Sequence, residues 1–131
     1  MSNNDTFLQG FKPFDFSEGV PQFSITENGI TFNKSCVIKL NYPSHTKLWI
    51  DHKGKKIALQ PCAEGEQFAR DFCDINRKRI VGVRWNVKAL LLEIEQITGW
   101  SIDDVGRTVE GIFIASENLI LFDLNKAKEM R

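Results

Sequence analysis

The sequence predicts an α+β domain made of two β-hairpin/helix units joined into a small, barrel-like, pseudo-duplicated body. Two observations carry this. The stretch "GITFNKSCVIKL" (29–40) is echoed by "GVRWNVKALLLEI" (82–94). Each has a glycine, a strand-like run, an aromatic residue, an asparagine and then an apolar helical pattern. Each is also followed by two short apolar runs with a turn between them, spanning Thr46 to Pro61 in one half and Thr108 to Asp123 in the other. Aligned by length, these spans match Ile50 with Ile112, Ile57 with Leu119 and Leu59 with Leu121. Two such units each carry an apolar face that is buried only by packing on the other.

The elements follow in order. Residues 1–22 carry Phe7, Phe11, Phe14 and Phe16 among Gly10, Pro13, Gly19 and Pro21. The glycines and prolines break any long helix. Four phenylalanines predict an arm that docks on the body or on a second subunit. In "FSITENGITF" (23–32), Asn28-Gly29 supplies a hairpin turn. Asn33 is placed to cap a short helix, on which Cys36, Val37 and Leu40 form one apolar stripe. Asn41 and Pro43 end it. "TKLWI" (46–50) and "KIALQ" (56–60) make a second hairpin that turns at Gly54. The first unit is therefore 23–61, β-β-α-β-β.

Residues 62–78 are expected to be a loop connector. The second unit, 79–124, is expected to read β-α-β-β. It comprises a strand over "RIVGVRW" (79–85), an Asn86-capped helix over 87–98 and a hairpin of "TVEGIFIA" (108–115) with "NLILFDL" (118–124). In the helix, Leu90, Leu91, Ile94 and Ile97 lie on one face, and Gly99 suits its C-terminal end. Residues 125–131 are charged and are expected to fray.

Composition narrows the function classes. Apolar residues make up 42% of the chain, enough for a packed core. There is no run of about 18 apolar residues, and the N-terminus has no basic and apolar leader pattern. No membrane contact and a cytoplasmic location are the expectations. Three cysteines with no CxxC pair disfavour a disulfide framework. The net charge is 0, but it is unevenly distributed. Residues 33–60 hold six lysines against Asp51, and residues 77–88 hold Arg77, Lys78, Arg79, Arg84 and Lys88 with no acid. The flanking segments are acidic. Basic stretches of this kind suit an anionic partner.

Residues 24–61, "SITENGITFNKSCVIKLNYPSHTKLWIDHKGKKIALQP", resemble the AbrB-type swapped-hairpin domain of bacterial transition-state regulators. Gly29 matches that family's turn glycine, Leu40 its helix leucine, and Ile57 with Leu59 its last strand. The resemblance implies a swapped-hairpin fold in which two units intertwine, and a DNA-binding role in transcription regulation. The sequence departs from the pattern at Ile30, where the family has a basic residue, at Lys34, where it has proline, and at the acidic Glu27. A chain holding the unit twice would build the family's dimer within itself.

The function expected first is a DNA-binding regulatory protein contacting phosphates through segments 34–56 and 77–88. Its candidate nucleic-acid-binding residues are Lys34, Lys39, Lys47, Arg77, Lys78, Arg79 and Arg84, which as Lys and Arg give salt-sensitive phosphate affinity. Lys53, Lys55 and Lys56 at a hairpin tip serve equally to protect a strand edge. The alternative is a non-catalytic protein-interaction or assembly module without DNA contact, with a homodimer or protein partner engaged through the Phe-rich arm. No catalytic residues, metal ligands or cofactors are expected. The chain has no Gly-rich phosphate loop, GxSxG or HExxH. His45, His52, Cys62 and Cys73 do not match zinc-ligand spacing, and Asp103-Asp104 reads as a turn.

Overall fold

Asn33 organises the start of the fold. Its Oδ1 accepts the Cys36 amide at 3.2 Å, which caps helix α1 (Lys34–Lys39), and the Gln22 amide at 3.1 Å. Its Nδ2 donates to the Val20 carbonyl at 2.9 Å. One side chain thus ties the entry of β1 (Gln22–Thr26) to the helix that follows β2 (Gly29–Phe32). Asn41 and Tyr42, at φ 63° and 54°, then turn the chain out of α1. The computed structural model describes residues 7–13, 19–74, 76 and 81–130.

Strands β3 (His45–Asp51) and β4 (Lys56–Pro61) form the second hairpin, whose turn is held by the Gly54 amide donating to Asp51 Oδ1 at 2.9 Å. Then come β5 (Arg70–Asp71), β6 (Val83–Trp85), α2 (Lys88–Thr98), β7 (Arg107–Ile114), β8 (Leu119–Asp123), a 3-10 turn (Leu124–Lys126) and β9 (Lys128–Glu129). All described pairings are antiparallel. Their order is β5-β3-β4-β8-β7-β1-β2-β6, with β9 added to β7. β7 serves both halves, because residues 107–110 pair with β1 while residues 111–114 pair with β8.

The sheet curls until its two end strands face each other. The Trp85 indole, on β6, donates to the Asp71 carbonyl, on β5, at 3.1 Å. The core lies inside this curl. Phe23, Phe32, Ile57, Ile120 and Phe122 are fully buried, with Val37 from α1 and Ile94 from α2. Phe32 sits at its centre, 5.1 to 6.0 Å from the rings of Trp85, Phe72, Phe23 and Phe122. The Phe23 and Trp85 contacts are edge-on and the Phe72 and Phe122 contacts tilted, and edge-on aromatic packing adds to the stabilisation from buried area. The result is a mixed α+β domain, mostly antiparallel sheet with two short helices.

Several expectations need correction. Asn86 does not cap α2. The helix starts a residue later, with Val87 in the cap position and no side-chain cap bond. Gly99, at φ 80°, does end it. The connector is not all loop, since Arg70–Asp71 pairs with His45 and Thr46. The tail does not fray throughout, since Lys128–Glu129 pairs with β7. The strand expected over 79–85 is ordered as Val83–Trp85; residues 77–80 lie outside the described residues. Phe7 and Phe11 stack on each other, with centroids 6.2 Å apart, but stay 77% and 69% exposed, so this part of the arm does not dock on the body. Phe14 and Phe16 lie outside the described residues.

The length-based match of the two hairpins is off by one residue. Ile57 is fully buried but Leu119 is half-buried, and Ile120 and Phe122 hold the inward positions. Asp51↔Lys56 and Ile114↔Leu119 each close a turn of the same length. Anchoring on the turns pairs Ile57 with Ile120 and Leu59 with Phe122. In a strand, one residue of slip exchanges the two faces.

Candidate interaction groove at the sheet seam

The seam between β5 and β6 is where the curled sheet fails to close. Among the described residues no ladder joins these strands. A cleft of about 510 Å³ runs between Arg70, Asp71 and Phe72 on one side and Val83, Arg84 and Trp85 on the other. Beside it lies a more apolar groove of about 380 Å³, walled by Leu48 and Ile50 of β3, Val87 and Leu90 at the start of α2, and Phe68. Arg70 and Trp85 border both.

Each wall has a local cause. Leu48 and Ile50 share the face of β3 that carries the buried Thr46, and that face emerges from the core toward the end of the strand. Phe68 is 82% exposed with φ 68°. A bulky residue in that region is uncommon; the turn that carries it is closed by the Ala69 amide donating to the Glu66 carbonyl at 3.1 Å. Arg70 lays its guanidinium over Trp85, with Cζ 5.4 Å from the ring centroid, within cation–π range. Arg70 and Arg84 are both exposed, and neither has a carboxylate partner among the described residues. The acid in the cleft is Asp71, whose Oδ1 lies 3.0 Å from His45 Nε2.

The nucleic-acid candidates are spread over different elements. Lys34 opens α1 and is exposed; Lys39 lies in its last turn, half-buried. Lys47 donates to Glu66 Oε1 at 2.9 Å, so its charge is matched. This bond, with that from the Ala63 amide, holds the Glu66 carboxyl below the usual carboxylate range. Arg84, on β6, donates from Nε to Thr31 Oγ1 at 3.1 Å. Arg77, Lys78 and Arg79 lie outside the described residues. At the β3–β4 tip, Lys53 and Lys55 are exposed, and Lys56 sits across from Asp123. His52 pairs with Glu93 at 2.9 Å, well apart in sequence and partner from His45 with Asp71. No group of three or more His, Cys, Asp or Glu gathers in metal-binding fashion among the described residues.

No protein-family profile, curated protein or solved structure matches this chain. Among the described residues no helix is long and apolar enough to cross a membrane.

Sequence reasoning passed over the groove. Its walls come from β3, the 62–78 segment, β6 and α2, which only the curled sheet brings together. The signal present in the sequence was "FARDF" (68–72), where an arginine stands between aromatic residues in a stretch otherwise rich in acids.

Proposed function

We propose that this chain is a non-catalytic protein-interaction module, built as an intrachain pair of swapped hairpins related to the AbrB-type arrangement. The pairing pattern supports the duplication. β2 pairs β6, and β4 pairs β8. β1 reaches across to β7, as β5 reaches across to β3. The two glycines of the sequence echo have reciprocal roles. A Cβ on Gly29 would lie 2.6 Å from the Trp85 carbonyl oxygen, and one on Gly82 would come against that of Phe32. In this reading β1-β2-α1-β3-β4 corresponds to β5-β6-α2-β7-β8.

One observation carries the interaction reading. Extending the correspondence through the strand registers sets Phe23 against Arg70 and Phe32 against Trp85. In the first unit Phe23 is fully buried, faces Phe32 across the β1–β2 ladder and seals the core. In the second, Arg70 stands there and no ladder forms among the described residues, which leaves an open groove beside an exposed Phe68. Apolar surface kept open next to cations that have no carboxylate partner among the described residues suits a partner. The DNA reading finds less support, because its described cations are divided among α1, β3 and β6 and Lys47 is neutralised.

Titration with a labelled random-sequence duplex at about 50 mM salt, where nonspecific phosphate binding is strong, separates the readings. The expected result is no salt-sensitive binding to DNA, alongside binding of a mixed pool of short peptides. Tight DNA binding that weakens steeply with salt, with no peptide bound, overturns the proposal.

A further inference from the structure

Resting on the interaction reading, we infer that the β5–β6 seam takes up one extended segment of another protein as an added strand. The segment carries an acidic residue facing Arg84 and, on its other face, a bulky apolar residue seated in the neighbouring groove beside Arg70.

Three features argue for this occupant. First, both seam strands have a free edge. β5 is paired only to β3 and β6 only to β2 among the described residues. Unpaired amides and carbonyls on a strand edge are a template for a further strand. The side-chain bond from Trp85 to the Asp71 carbonyl satisfies one of these groups and leaves the ladder itself unmade. Second, the charge is complementary to an acid. Arg70 and Arg84 flank the cleft without carboxylate partners, while Asp71 is engaged by His45. Third, specificity in strand addition comes from pockets for alternate side chains. The groove formed by Leu48, Ile50, Phe68 and Leu90 lies next to the cleft and shares Arg70 and Trp85 with it. A residue pointing away from the acid along the same strand thus meets an apolar site.

The fold supplies an internal comparison. In the first unit the corresponding edges are joined by a ladder running from Phe23↔Phe32 to Thr26↔Gly29. Two hairpin strands of the same chain fill that place. At the seam Arg70 takes the position of Phe23, and its charged head stays in solvent over Trp85. Self-closure through an apolar residue is lost there, and an anionic strand gains a contact instead.

The test uses the full chain and a set of peptides of about eight residues, a usual strand length. In the set, Asp or Glu is moved past Leu, Ile or Phe at every spacing, with matched Lys-containing peptides as controls. Fluorescence polarisation measures binding, and amide and indole NMR shifts locate it. The expected result is acid-selective binding that shifts Asp71, Arg84 and the Trp85 indole N–H. Arg70→Glu and Arg84→Glu should each weaken it about tenfold or more, since like charges brought together repel. Both arginines are exposed, so these variants keep the fold, which circular dichroism checks. The charge-reversed variants should prefer the Lys peptides. Absence of binding by every peptide, binding indifferent to both reversals, or shifts on another face each overturn the inference. Binding on another face leaves the interaction reading standing, whereas no peptide binding together with salt-sensitive DNA binding sinks both.

Discussion

Thr46 is fully buried on β3, and its hydroxyl has no hydrogen-bond partner among the described residues. An unsatisfied buried hydroxyl costs about 1–3 kcal/mol, and an apolar group of the same shape removes that cost. Thr46→Val should therefore stabilise the chain by about 1 kcal/mol, read as a higher urea midpoint with an unchanged slope. Cys36 is the second residue whose behaviour follows from burial. Desolvation pushes its thiol up to about 12, against the lowering effect of its contact with the Gln22 carbonyl. The thiolate is the reactive form, so Cys36 should resist iodoacetamide near pH 8 until denaturant is added. Mass spectrometry of the alkylated peptides checks this. Glu66 behaves in the opposite way. Its carboxyl is depressed first by the Lys47 hydrogen bond and then by the Ala63 amide. The stabilisation it gives is present above the unfolded-state value and is lost as pH falls through the lower folded value. The Ala63 amide resonance should titrate with a midpoint below that of an ordinary glutamate. Residue roles of this kind were legible only where they are local. Asn33 could be read as a cap because its partner is three residues away. The pairing of Lys47 with Glu66 spans a β-hairpin and left no mark in the spacing.

Among the elements, the glycines show what a short strand requires. Gly29, at φ 130°, and Gly82 each bring a strand within contact of a neighbouring carbonyl. Alanine at either position has to displace backbone. Gly29→Ala and Gly82→Ala should each cost about 1–3 kcal/mol, the range for overpacking, with Gly29 toward the upper end because of its positive φ. Equal tolerance of alanine at both would contradict the reciprocal packing. Hairpins with local turns, such as β1–β2 and β3–β4, were visible as alternating runs around Asn28-Gly29 and Gly54, although the first turn falls one residue earlier than expected, on Glu27-Asn28, with Gly29 already paired to Thr26. α2 was visible from the spacing of Leu90, Leu91, Ile94 and Ile97, although its cap was not. β5 and β9 were invisible for a common reason. Each has two residues, too few for a periodic pattern, and each exists only because β3 or β7 offers it an edge.

For the whole molecule, the cross-pairing of β1 with β7 and β3 with β5 makes each half depend on the other. β4 also needs β8 to cover its second edge. Separate fragments 1–66 and 67–131 should give disordered circular dichroism spectra as monomers and recover strand signal on mixing. A fragment 1–66 that folds alone as a monomer would contradict this interdependence. The sequence by itself determined the alternation of strands and helices, the glycine-to-asparagine echo and the uneven charge, because these are properties of neighbours along the chain. It also set the apolar residues that fill the core. Which half-strand faces inward was decided by register, and register depends on the turns that align Asp51 with Lys56 and Ile114 with Leu119. The open seam was decided later still, by the curl that carries β5 round to β6. There Arg70 meets Trp85 across a gap, and no short-range pattern in the sequence records a meeting between strands at opposite ends of a sheet.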